Sequence, residues 1–164
     1  MKSQRSQKGF SLIELLIVVA IILIIAAIAI PNLLQARGSA NQASAVSSLR
    51  TINSAMVMYN NDFPTDGYAP TLAALGGTSC MPPDPTSACL IDEQLASGSK
   101  SSYNFTSVGL GGTPAVQYFA SATPVNSSSN NSYCSTEDGV IHFDPTGAAI
   151  ADHDTCLGLQ ALQN

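Results

Sequence analysis

Charge is scarce in this chain and positive charge scarcer still. Of 164 residues 10% are charged, with six Lys and Arg against eleven Asp and Glu, for a net charge of -5. Three of the six basic residues, Lys2, Arg5 and Lys8, precede a long apolar run, so everything beyond them sets three basic residues against all eleven acidic ones. Such a surface repels phosphate backbones, and no basic patch with interleaved aromatics is present, which argues against direct nucleic-acid binding by the lone subunit. Aromatic residues are absent between Phe10 and Tyr59, so this stretch offers no path of stacked rings for electrons. Val108-Gly109-Leu110-Gly111-Gly112 has the glycines of a phosphate loop but no following Lys-Ser/Thr pair, and reads better as a hairpin loop. No Ser/His/Asp or Cys/His set has supporting context, and no internal repeat is visible. A catalytic function finds no residues to carry it.

What the chain does have is distributed unevenly. Hydrophobic residues make up 45% of it, with the first third greasy and the rest mostly polar. The length allows one ordinary domain and little else. Lys2, Arg5 and Lys8 flank an apolar run that starts at Phe10, superficially like a secretory signal peptide. Two features break that likeness. No small-residue cleavage site ends the run, since helix-compatible sequence continues through Asn32, Leu33, Leu34, Gln35 and Ala36, and Glu14 lies inside it. A carboxylate costs about 3 kcal/mol at the centre of a bilayer helix and somewhat less near its end, so Glu14 needs a partner or a place in the headgroup region. From Leu15 to Ala36 the sequence is uncharged and long enough to span the roughly 30 Å hydrocarbon core. The basic flank predicts a cytoplasmic N-terminus and an exported remainder.

Beyond Pro31, where a kink or locally opened segment is expected, the helical period persists. Leu33, Ala36, Ala40, Ala43, Val46, Leu49, Ile52, Met56 and Tyr59 recur every three or four residues, with polar residues on the other faces. The two halves together predict one helix from Phe10 to about Tyr59, roughly 75 Å long if regular. Its second half can pack on a head. Its first half must be covered by lipid or by other copies of itself. Asn60 to Gly67 favours turns and closes the helix. A short helix is expected over 71–77, and strands over 103–108, 115–123 and 140–144, with turns at 109–114 and 124–131. These predict an α+β fold in which a small antiparallel sheet lies against the helix.

Four cysteines, Cys80, Cys89, Cys134 and Cys156, lie beyond the apolar run. An even number downstream of a membrane segment points to disulfides in an oxidising compartment, and their spacing is unlike paired zinc ligands. Three pairings are open; Cys80 with Cys89 and Cys134 with Cys156 close the smaller loops. His142 with Asp144, and Asp152-His153-Asp154, read either as solvated polar residues on a strand and in a loop or as part of a metal site. Sequons at Asn104, Asn126 and Asn130 lie in Ser/Asn-rich surroundings and carry little weight.

Lys8-Gly9-Phe10-Ser11-Leu12-Ile13-Glu14 resembles the class III signal of type IV pilins and type II secretion pseudopilins. The likeness combines leader charge, Gly, Phe, Glu and an apolar helix interrupted by Pro31. It implies a pilin fold with a cleaved leader over 1–9, a transmembrane and polymerisation helix over 10–36, an amphipathic helix over 37–59 and a head over 60–164. It implies cleavage between Gly9 and Phe10 by a prepilin peptidase, with N-methylation of Phe10. Glu14 would then neutralise the new amine of a neighbouring subunit and set axial register; spacing alone also permits pairing within one chain. Leu23 stands where many pilins have a helix-weakening Gly, which argues against extensive melting.

The partners implied are further copies of the chain, membrane lipid before assembly, and an inner-membrane assembly machinery with its ATPase and an outer-membrane secretin. The inner membrane would hold the subunit before it becomes an extracellular pilus for adhesion, twitching motility or DNA uptake. The Cys134 to Cys156 segment resembles the D-region of type IV pilins, which pseudopilins usually lack. No cofactor is implied for a pilin. A major pseudopilin driving protein export is the alternative, with Asp138, Asp144, Asp152 and Asp154 as its candidate calcium ligands.

Overall fold

The structure is a computed structural model and describes residues 10–78, 82–126 and 130–163. The chain divides into two compact units, one up to Arg37 and one from Gly38 onward. Helix α1 spans Leu12–Asp62 and contributes to both.

In the second unit one face of α1 is buried: Ala45, Val46, Leu49, Ile52, Ala55, Met56 and Tyr59. Their spacing of three and four residues puts them on one stripe. That stripe joins Tyr103, Phe105, Tyr118, Ala120, Ala122, Tyr133 and Ile141 in a single apolar core. The helix outlasts its expected end at Tyr59 by three residues. The Phe63 N–H still donates to the Tyr59 carbonyl at 2.8 Å, and the Phe63 ring packs 4.8 Å from that of Tyr59. This anchoring overrides the turn preference of Asn60 and Asn61.

The sheet is a six-stranded antiparallel meander in sequence order: β1 Ser99–Lys100, β2 Tyr103–Leu110, β3 Gln117–Pro124, β4 Ser132–Thr136, β5 Ile141–Asp144 and β6 Gln160–Ala161. Along the first part of β2, Tyr103, Phe105 and Ser107 are buried while Asn104, Thr106 and Val108 are exposed, the period-two pattern of a sheet with one face on a core. Short helices α2 Leu72–Leu75 and α3 Glu93–Ala96 precede the sheet, and α4 His153–Leu157 precedes β6. Each begins at a side-chain cap: Thr71, Asp92 and Asp152 accept from the backbone N–H three residues on.

Several elements differ from their expected form. β2 runs on through Gly109 and Leu110, which pair with Tyr118 and Gln117 of β3; a glycine is required at 109, where a Cβ would lie 2.7 Å from the Tyr68 carbonyl. β3 starts at Gln117 because Ala115 pairs instead with the segment after α1, its N–H donating to Asp66 O at 2.8 Å and its carbonyl accepting from Tyr68 N at 3.0 Å. The expected 71–77 helix is only its central turn. β4 lies in the polar stretch Ser-Tyr-Cys-Ser-Thr, which gives no strand alternation because both its faces are covered. Hydrogen bonds make this tolerable: Ser132 Oγ donates to Ala148 O at 2.6 Å and Ser135 Oγ accepts from Asn53 Nδ2 at 2.7 Å, both distant in sequence, while Thr136 Oγ1 donates locally to Asp138 Oδ1 at 2.9 Å.

The outer face of the sheet carries a second, smaller core of Phe119, Cys134, Ile150 and Cys156. Cys134 on β4 and Cys156 on α4 are joined by a disulfide with Cα atoms 6.0 Å apart. Cys89 is also disulfide-bonded, while Cys80, its expected partner, lies outside the described residues.

Candidate functional site

The first unit contributes the apolar part of helix α1. Every large apolar side chain from Phe10 to Leu34 is at least 45% exposed. The apolar part of α1 is long enough to cross a membrane by length and composition. It stays helical across Pro31, with no opened segment on either side. A proline removes one N–H, a loss that a long aliphatic helix around it absorbs. Leu23 lies exposed within that unbroken run.

Glu14 has a local role that the spacing argument missed. The Ser11 N–H donates to Glu14 Oε2 at 2.9 Å, and the Leu15 N–H donates to the Ser11 carbonyl at 3.3 Å. Helix α1 begins at Leu12, so Ser11 stands at the N-cap and Glu14 at the third helical position. The carboxylate thus satisfies an N–H at the end of the helix and sits at the positive end of its dipole. The signal was present as Ser-x-x-Glu before an apolar run. Its other oxygen, Oε1, has no partner among the described residues. Phe10, directly before the cap, is 86% exposed. Gly9 lies outside the described residues.

In the head, Asp138, Asp144 and Asp152, singled out for metal or acid-base chemistry, each hold their own turn or cap. Asp138 accepts from Thr136 and from the Val140 N–H; Asp144 accepts from the Thr146 N–H and hydroxyl. Asp152 caps α4 through the Thr155 N–H at 2.8 Å, which holds its carboxyl below the usual range. Among the described residues no three His, Cys, Asp or Glu side chains converge as a metal site. The histidines are not solvated, contrary to their polar sequence context. His142 and His153 are each 8% exposed. His142 Nδ1 lies 2.9 Å from Leu159 O. His153 is gripped on both sides, with Nε2 2.9 Å from Glu137 Oε2 and Nδ1 3.1 Å from Asp154 Oδ1. The bond to Asp154 raises the His153 pKa, desolvation opposes it, and Glu137 adds to the rise. Burial pushes the Glu137 carboxyl up, but hydrogen bonds from its own backbone, His153 and Gln117 outweigh it and lower the pKa.

Residues 4–30 match the prokaryotic N-terminal methylation motif. The chain is 48% identical over 71 residues to the type IV wide pilus major component PilA4 of Thermus thermophilus, covering 43% of this chain and 53% of that one. Over part of its length the chain is similar to a pilin. It is also 36% identical over 87 residues to the type II secretion system core protein G of Aeromonas hydrophila, covering 51% and 59% of the two chains. With the type IV major pilin protein PilA of Myxococcus xanthus it shares 41% identity over 70 residues, covering 38% and 32%. It therefore spans little more than half the length of the first of these relatives. No solved structure matches it significantly. The relation to pilins and to core protein G, the methylation motif and the antiparallel head agree with the family likeness of Lys8 to Glu14.

Proposed function

We propose that this chain is a structural subunit of a type IV pilus, stored in the membrane through its N-terminal helix and polymerised through the same helix, and that it is not an enzyme. The observation that carries the reading is the apolar surface of α1 from Leu12 to Leu34, exposed among the described residues, which starts within the methylation motif. A surface of this extent requires lipid or other copies of itself. The names of its relatives support a filament subunit.

Maturation follows the same reading. A prepilin peptidase cuts between Gly9 and Phe10 and methylates the new amine, leaving the Ser11 N–H and its bond to Glu14 intact. The free Oε1 of Glu14 is then the acceptor for the amine of a neighbouring copy. The assembly ATPase and an outer-membrane secretin are the remaining partners. Core protein G likeness supports a second reading, a pseudopilin driving protein export. The Cys134–Cys156 staple over the outer sheet face favours the pilus.

Shearing cells that express the chain tests this: surface filaments containing it are expected, and their absence despite good processing would overturn the pilus reading. Gly9→Ala should leave unprocessed precursor in the membrane. Glu14→Ala and Glu14→Val should insert normally but assemble poorly, and wild-type filament yield from either would remove the proposed charge pairing.

A further inference from the structure

The head holds a cavity of about 250 Å³ near the end of α1, walled by Tyr59, Asp66, Tyr68, Pro70, Pro85 and Thr86. Its polar groups are unevenly engaged. The Tyr59 hydroxyl donates to Pro85 O at 2.7 Å, and Thr86 is bonded to Asp84. The Asp66 carboxylate has no hydrogen bond or ion pair among the described residues, and neither does the Tyr68 hydroxyl. Tyr68 is held by an edge contact with Tyr118, ring centroids 4.9 Å apart, so it is a fixed wall. Burial raises the Tyr59 pKa, and the nearby charges of Asp66 and Asp84 raise it further, which marks the cavity as a place of negative potential.

Aromatic and prolyl surface beside a lone carboxylate is the environment that suits a guanidinium, which stacks flat on rings while its fork donates to the carboxylate. An ammonium would lose the stacking. The charge balance narrows the source. Among the described residues the cations are Arg37, Arg50 and Lys100. Lys100 pairs with Asp92 at 3.3 Å and Arg50 is engaged. Arg37 alone has no partner among the described residues, and it is exposed at the end of the uncharged stretch of α1. Asp62 and Glu93 are also unpartnered acids, but both are exposed and neither lines the cavity.

We propose that the cavity receives the Arg37 side chain of a second copy of this chain, with Asp66 as counter-ion and Tyr68 as stacking wall. The inference rests on the homopolymer reading and adds to it a contact between the helix of one copy and the head of another, separate from any pairing of Glu14.

A charge swap tests it in intact cells. Arg37→Glu and Asp66→Arg should each lower sheared filament yield roughly tenfold or more while processed subunit accumulates in the membrane, and the two together should restore most of it. Arg37→Lys should recover only part, since it keeps charge without the planar fork. A double variant no better than either single one, or rescue of Arg37→Glu by Asp62→Arg instead, would overturn the pairing. A second measurement separates this from failure of the pilus reading. Copies bearing Ala36→Cys and differently tagged copies bearing Pro70→Cys, treated with a short bis-maleimide, should give mixed crosslinked dimers that vanish when Arg37→Glu is added. Crosslinks without filaments would refute the pilus and retain the pairing. Filaments without crosslinks would do the reverse.

Discussion

Replacing Cys134 and Cys156 together by alanine should destabilise the head by about 3 kcal/mol, the chain-entropy value for opening a loop of this length. The two cysteines are 22 residues apart in sequence. Both are fully buried, in a cluster with Phe119 and Ile150 that is small enough for the staple to matter. Urea titration of the full chain in detergent would read the loss, with near-UV circular dichroism of the buried Tyr59, Tyr103 and Tyr118 as the signal. A denaturant slope of about 1–3 kcal/mol/M converts that free energy into a midpoint lowered by roughly 1–3 M. Hydrogen exchange should locate the damage. Protection is expected to fall first in α4 and in β3 near Phe119, because the staple fastens the tail to the outer sheet face, while Leu49 and Ile52 belong to the other core. A midpoint within about 0.3 M of the parent would refute the reasoning, and so would uniform loss of protection across both cores.

Leu49→Ala should cost about 2–5 kcal/mol in the same titration, since its side chain is completely buried between helix and sheet. Asn53→Ala should cost about 1–2 kcal/mol by leaving Ser135 Oγ without its donor in a buried setting, whereas an exposed neighbour such as Ser54→Ala should be nearly silent. The His153 clamp gives a pH dependence. Its raised pKa means stabilisation is fully present below the ordinary imidazole value of 6.5 and is lost as pH rises through the folded value. The lowered pKa of Glu137 means its share is present above the ordinary value of 4.5 and is lost as pH falls through the folded one. Exchange protection in α4 should therefore be greatest at weakly acid pH and decline toward neutral and alkaline pH. An identical profile in His153→Gln would show that the clamp contributes nothing.

The sequence made the long helix legible because it rests on periodicity and composition over many residues. Leu49, Ile52, Met56 and Tyr59 repeat at helical spacing, and the uninterrupted aliphatic run carries its own meaning. Three strands were visible through hydrophobic runs. β4 was not, because Ser132 to Thr136 is stabilised by partners distant in sequence, Asn53 and Ala148 among them. The histidines were misjudged for a similar reason: Glu137 reaches His153 from 16 residues away, and no local pattern announces it. Glu14 was flagged by its cost in an apolar run, yet its bond to Ser11 lay in a three-residue spacing that was readable. The cavity beside Asp66 had no sequence signature at all, being assembled from four separate segments of the head.

The outermost strands of the sheet, β1 and β6, have two residues each. On the proposed filament reading the chain meets many copies of itself at high density, where sheets adding edge to edge without limit are the competing outcome. Strands this short offer too few free backbone groups to template such growth. Under that reading self-association is channelled away from the head's backbone and toward side chains, whose contacts can be made and released one subunit at a time. A variant that lengthened β1 or β6 would threaten the subunit pool before assembly begins.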